Sequence, residues 1–250
     1  MFPHQLTIPG ASAGIGYDTA YALVATSPDN HVVMGVRNPD KGARCLAEIQ
    51  GRNPQGTLSL LTLDVTSDAS IKAASAKLQQ DFGCLDVLIN NAGIEIATKF
   101  PSREELRTTF ETNLFGPVIL TQTLIPLIKS SKGRKIINVT SELGSITERV
   151  DPDHPTYHTP HTAYRMSKSA LNMMTACQYH DWKDLGIKIW SYCPGFVVTD
   201  LSGPDRRQMR ADMGAGDSKT SAQGIVEITE GKRDGEAGMF IARYGGQPPW

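Results

Sequence analysis

Short, almost continuously apolar runs alternate along this chain with longer stretches in which apolar positions recur every three or four residues. The runs predict strands at about residues 5–8, 31–36, 57–63, 85–90, 134–139, 187–192 and 239–242. The longer stretches predict helices at about 14–26, 39–52, 68–82, 103–130, 162–185 and 219–230. Runs so rich in Val, Ile and Leu suit strands of a parallel sheet covered on both faces. Strict strand-helix alternation implies right-handed crossovers and a Rossmann-type, doubly wound α/β fold with a seven-stranded parallel sheet. No repeat and no break in composition marks a linker, so residues 1–250 are expected to form one domain.

Two segments depart from the rhythm. Residues 145–161 are rich in Pro, His and Thr, and residues 200–217 carry Gly, Pro and several charges. Both predict long loops, the second with a short helix, and loops of that length inside a compact domain are usually functional or mobile.

Composition narrows the function classes. A net charge of -1 gives no reason to expect nucleic acid or an anionic membrane as partner. No apolar run is long enough to cross a bilayer, and residues 1–5 lack the pattern of a secretory signal. Cys45, Cys84, Cys177 and Cys193 are scattered. They read as reduced, small buried side chains of a cytoplasmic protein rather than as a metal or redox site.

Chemistry enters at the first turn. The first predicted strand runs into Gly10-Ala11-Ser12-Ala13-Gly14-Ile15-Gly16, and a helix follows. Glycines there allow a tight turn and close approach to a pyrophosphate, which the helix N-terminus attracts. At the end of the second strand, where an NAD site usually carries a carboxylate, stand Arg37 and Asn38, with Lys41 a turn later. A guanidinium there suits a ribose 2′-phosphate, so NADP(H) is the expected cofactor and NAD(H) stays open.

Tyr164 and Lys168 are four apart in a predicted helix and share a face. An ammonium near a phenol favours the phenolate, making the pair a candidate proton donor and acceptor. Ser141, the Asn91-Ala92-Gly93 segment and the segment from Pro194 to Thr199 lie at or near strand C-termini, and Asn113 sits within the long predicted helix. The C-terminal end of the strands is the end at which an open parallel sheet binds its ligand.

In their order, these motifs resemble the short-chain dehydrogenase/reductase family in its common form of about 250 residues, over essentially the whole chain. The resemblance implies an oxidoreductase that interconverts a carbonyl and a secondary alcohol. It implies Tyr164 as general acid/base, Ser141 as the group orienting the substrate oxygen, and Lys168 as the group lowering the tyrosine pKa and holding the nicotinamide ribose. Asn113 would help hold a proton-relaying water. Asp64 and Val65 would contact adenine, and Asn91, Ala92 and Gly93 would line the adenosine side. Pro194, Gly195, Val197 and Thr199 would bind the carboxamide side. A homodimer or homotetramer built on the helices of Asn113 and Tyr164 is also implied.

Some features depart from the family pattern or compete with it. Pro9 replaces the usual Thr and removes a hydroxyl and a backbone donor, which questions a contact with the fourth-strand loop. The span from Ser141 to Tyr164 is about ten residues longer than usual, so 145–161 reads as a substrate-side insertion or as a decorative loop. His154, His158 and His161 lack a rigid frame for a metal. Arg206, Arg207 and Arg210 read as the solvated face of a mobile lid, and the tail ending at Trp250 as a cap for a substrate pocket. A non-redox reaction on a bound nucleotide, or a non-catalytic scaffold, remains as an alternative, and the substrate is not encoded legibly.

Overall fold

The computed structural model describes residues 4–250. Seven strands form one parallel sheet: β1 (His4–Pro9), β2 (Asn30–Val36), β3 (Thr57–Thr62), β4 (Val87–Asn90), β5 (Lys135–Val139), β6 (Lys188–Cys193) and β7 (Phe240–Ala242). Their spatial order is β3-β2-β1-β4-β5-β6-β7. The order reverses between β1 and β4, and the crevice at such a switch point is where a doubly wound sheet takes its ligand.

Alternation along each strand supplies both faces. Leu6, Ile8, Val32 and Met34 pack with Ile137, Trp190 and Tyr192 under α1 (Gly14–Thr26), α2 (Pro39–Gln50) and α9 (Ser218–Thr229). Val33, Leu61, Leu88, Ile136 and Ile189 face the other way, toward α3 (Asp68–Asp81) and α5 (Gly116–Ser130). Burial of this order, at about 25 cal/mol per Å² of apolar surface, is what holds the layers together.

The predicted helix over 103–130 is helical throughout but not uniform. It comprises α4 (Arg103–Phe110), a π-helical segment Glu111–Phe115, and α5. The wide π turn shifts the face presented before and after it, a device often found at functional sites. The segment 145–161, expected to be irregular, contains a short helix, α6 (Ile146–Val150), capped by the Ser145 hydroxyl. The tail folds back on its own chain: the Trp250 carbonyl accepts from the Thr147 N–H at 3.3 Å and hydroxyl at 3.1 Å. Its ring lies 5.6 Å from that of Phe240.

Among the described residues no helix is long and apolar enough to cross a membrane. The cysteines differ from expectation, since Cys193 alone is buried, Cys45 and Cys84 are half-buried and Cys177 is exposed.

Candidate active site

The turn after β1 is built from its glycines outward. Gly10 and Gly14 take φ of +76° and +51°, which side chains rarely tolerate. A Cβ on Gly16 would stand 2.5 Å from both the Asn91 amide and the Gly10 carbonyl. The Asn91 side chain donates to the carbonyls of Pro9 and Gly10 at 3.1 and 3.3 Å. The contact that Pro9 put in question is therefore made by a carbonyl that proline retains. Ala13 caps α1 without a side-chain hydrogen bond, and the first turn holds no acid. The leading N–H groups thus have no side-chain acceptor, as a phosphate cradle requires.

From this turn a cleft of about 360 Å³ runs along the C-terminal edge of the sheet. It is lined by Gly10, Ser12, Gly14, Ile15, Gly16, Arg37, Asn38 and Lys41, and by Asp64, Val65, Asn91, Ala92 and Gly93. Tyr164, Lys168, Pro194 and Thr199 complete the predicted set on its wall, while Asn113, Ser141, Gly195 and Val197 lie outside it. Arg37 and Lys41 are exposed at the rim. Asn38 has a second duty, accepting from the Lys41 N–H at 2.9 Å as the N-cap of α2. The uncapped helix and the glycine cradle together fit the pyrophosphate of a dinucleotide.

The reactive cluster depends on α7 (Thr162–Trp182), which carries Tyr164 and Lys168 on one face. A Cβ on Gly144 would come within 2.9 Å of Lys168, so only glycine lets the loop after β5 press against α7 there. The Ser169 hydroxyl donates to the Gly144 carbonyl at 2.7 Å, and Thr140 donates to Asn172 at 2.7 Å. These ties set Ser141 beside Tyr164, where it favours the ionised phenol. Asn113, within the π segment, has its side chain fully engaged. Its Oδ1 accepts from the Ile94 N–H at 2.9 Å, and its Nδ2 donates to the Ile94 carbonyl at 2.9 Å and to Ser167 at 3.0 Å. That side chain clamps the β4 loop to α7.

The electrostatics also differ from the sequence expectation. Burial pushes the Tyr164 phenol well above its ordinary range, the nearby Glu95 charge and Cys193 add to this, and Ser141 and Arg210 oppose it. The Lys168 ammonium lies 5.6 Å from the centre of the Tyr164 ring. Burial lowers Lys168 itself to about 8, and its ammonium donates to the Val139 carbonyl at 2.8 Å. Desolvation outweighs the attraction between two groups that share a dry wall.

Four side chains that sequence reading missed or misplaced surround this cluster. Arg210, expected on a solvated face, is buried and pairs with the buried Glu95 at 3.0 Å. Arg206 and Arg207 are exposed, as expected. His161, the α7 N-cap with φ of +37°, meets Glu95 at 2.5 Å. Arg165 is buried and donates to the carbonyls of Leu143, Thr156 and Thr159, stapling the 145–161 segment to α7. His154 pairs with Glu148 at 3.7 Å instead of gathering with the other histidines. No metal-binding group of three His, Cys, Asp or Glu occurs among the described residues. A second hollow of about 340 Å³, with Glu142, Cys193, Phe196, Arg243 and Tyr244 on its walls, lies beside the cluster through Cys193.

Comparison with known proteins agrees with this architecture. The short chain dehydrogenase family model matches residues 5–210. The short-chain dehydrogenase/reductase tropE of Talaromyces stipitatus is 32% identical, over 97% of this chain and 96% of its own. The short-chain dehydrogenase/reductase eupG of a Phoma species is 35% identical over 91% of this chain and 90% of its own. An NADPH-bound carbonyl reductase from chicken fatty liver superposes with a TM-score of 0.84 at 28% identity, covering the whole of both chains.

Proposed function

The chain belongs to the short-chain dehydrogenase family and is an oxidoreductase, and from that premise we propose that it uses NADP(H) to interconvert a carbonyl and a secondary alcohol. The observation that carries this reading is the meeting of Tyr164, with Ser141 beside it, and the Lys168 ammonium 5.6 Å from the Tyr164 ring centre. They stand by a cleft whose other end is the uncapped N-terminus of α1. The solved relative described as NADPH-bound supports the choice of nucleotide, as do Arg37 and Lys41 where a ribose carboxylate partner would otherwise stand.

When bound, the nicotinamide supplies or accepts the hydride. The chain provides placement and the proton. Ser141 holds the substrate oxygen, and Tyr164 donates a proton to it as negative charge develops during reduction. A phenol kept above its ordinary range is fully protonated at neutral pH, the form an acid needs. Lys168 holds the nucleotide ribose, and Asn113 fixes the α7 face that presents both side chains. Gly10 to Gly16 cradle the pyrophosphate, Asp64 and Val65 meet the adenine, and Gly195, Val197 and Thr199 meet the carboxamide side.

The whole chain acts as one catalytic domain on this reading, with 145–161 as a substrate-side insertion and 200–217 as a lid. The hollow beside Cys193 receives the part of the substrate beyond its carbonyl. Four unpaired cysteines support a cytoplasmic setting. Exposed Phe115 and Ile119, with Met166 and Met173 on α7, support a homodimer or homotetramer through these helices.

The test is consumption of NADPH and NADH with a panel of ketones, aldehydes and quinones. Oxidation of NADPH in preference to NADH by a carbonyl in the panel is the expected result. Failure to bind either nucleotide, or turnover of a substrate without net NADPH consumption, would overturn the reading.

A further inference from the structure

Glu95 stands between Ile94 and Ile96, in an apolar stretch just past the β4 loop. Its side chain is only 4% exposed. A carboxylate so placed must be matched by donors, because unpaired charge away from water is heavily penalised. Two separate segments supply them. His161 Nδ1, three residues before Tyr164, lies 2.5 Å from Oε1. Arg210 Nη1, from α8 (Arg207–Asp212), donates to Oε2 at 3.0 Å. The Ser202 hydroxyl donates to the same oxygen, and the Glu95 N–H donates to the Leu201 carbonyl at 3.2 Å.

Arg210 carries the connection onward. Its Nε donates to the Val197 carbonyl at 3.1 Å, and its guanidinium lies over the Phe196 ring at 4.8 Å. α8 is also held by Arg207, which pairs with Asp200 at 3.1 Å. It is six residues long, and Arg206, Arg207, Met209 and Met213 around Arg210 are exposed. Asp200 and Leu201, at the start of the same segment, line the nucleotide cleft.

We propose that Glu95 is a positioning residue that ties the 201–213 segment to the N-terminal turn of the Tyr164 helix and thereby sets the binding of the carbonyl substrate. The substrate part of this inference rests on the reductase reading above; the tie itself does not. Glu95 is not itself a wall of the proposed nucleotide cleft, and its charge reaches Tyr164 only second to burial. It acts through Arg210, Ser202 and His161. Removing its charge leaves Arg210 buried without a counter-ion, and the cheapest relief is for the short α8 to undock into water while the sheet stays intact.

The experiment compares the full-length parent with Glu95→Gln and with Arg210→Gln, which breaks the same tie from the exposed side. Limited trypsin digestion, which needs no substrate, reads the tie directly. Cleavage after Arg206 and Arg207 is expected to be at least tenfold faster in both variants, with the remaining chain still resistant. With NADPH and a carbonyl that the parent reduces, KM for the carbonyl is expected to rise about tenfold in both variants. In the same assays kcat should fall less than threefold and NADPH affinity should stay within threefold. Unchanged cleavage at these two arginines, or simultaneous cleavage throughout the chain, would overturn the tie. Faster cleavage with an unchanged KM would overturn its role in substrate binding. A parent that reduces no carbonyl would defeat the reductase reading while the proteolysis still decides the tie.

Discussion

Lys168 provides the sharpest physical prediction because its burial has a calculable cost. Its ammonium is buried, it donates to the Val139 carbonyl at 2.8 Å, and desolvation lowers its pKa from 10.5 to about 8. A difference of that size corresponds to about 3 kcal/mol, at about 1.4 kcal/mol per pKa unit. Lys168→Met keeps the volume and removes the charge, but leaves the Val139 carbonyl without its donor, a loss of about 1–2 kcal/mol. The variant should therefore be more stable than the parent by about 1–2 kcal/mol at pH 7. For a chain of this size that is a rise in Tm of roughly 2–8 °C.

The pH dependence follows from the direction of the shift. Below pH 8 the folded and unfolded chains both hold the Lys168 proton, so the full cost is present. Between about 8 and 10.5 the unfolded chain keeps the proton that the folded chain releases, and the cost fades as pH rises. The advantage of Lys168→Met should shrink across that window and be gone above it. Thermal unfolding of parent and variant without added nucleotide, at pH 7 and pH 10, measures both effects. A variant less stable than the parent at pH 7, or a difference of the same size at both pH values, would refute the reasoning.

Other outcomes follow from the same geometry. Arg37→Asp should lower kcat/KM for NADPH by about 10- to 100-fold and raise it for NADH, since a carboxylate repels the 2′-phosphate and accepts from a free 2′-hydroxyl; steady-state kinetics with both nucleotides checks it. Asn113→Ala removes two hydrogen bonds to Ile94 in the β4 loop and a buried one to Ser167 on α7. It should cost about 2–4 kcal/mol, read as the shift in denaturant midpoint. Arg165→Ala frees the carbonyls of Leu143, Thr156 and Thr159, and hydrogen exchange should show faster opening confined to residues 143–161.

The sheet was legible because its strands are buried on both faces, and continuous Val, Ile and Leu leave few other readings. Edges were less so: β4 is the four residues Val87–Asn90, and Leu85 just before it bonds away from the sheet, to the Leu127 carbonyl. The phosphate turn and the Tyr164–Lys168 spacing could be placed since each is local in sequence. The break at Glu111–Phe115 could not, since a π turn leaves no compositional trace. Arg210 was misread for a related reason. Its partner Glu95 is 115 residues away, and a charge reads as solvated until the chain that neutralises it is known. Arg165, one position beyond the tyrosine, was passed over because its three acceptors are backbone carbonyls, which no side-chain pattern announces. The Tyr164 environment was misjudged in magnitude rather than place, since spacing reports that two groups meet but not how dry the meeting is.

The central claim is that Tyr164 supplies the proton while the nucleotide site stands independently of it. The most direct measurement is reduction of a carbonyl substrate by NADPH in Tyr164→Phe, alongside NADPH binding by the same protein. The account predicts NADPH affinity within about threefold of the parent and turnover reduced by about 10²–10⁴. Turnover close to that of the parent, with a folded variant that binds NADPH, would contradict it and place the acid elsewhere.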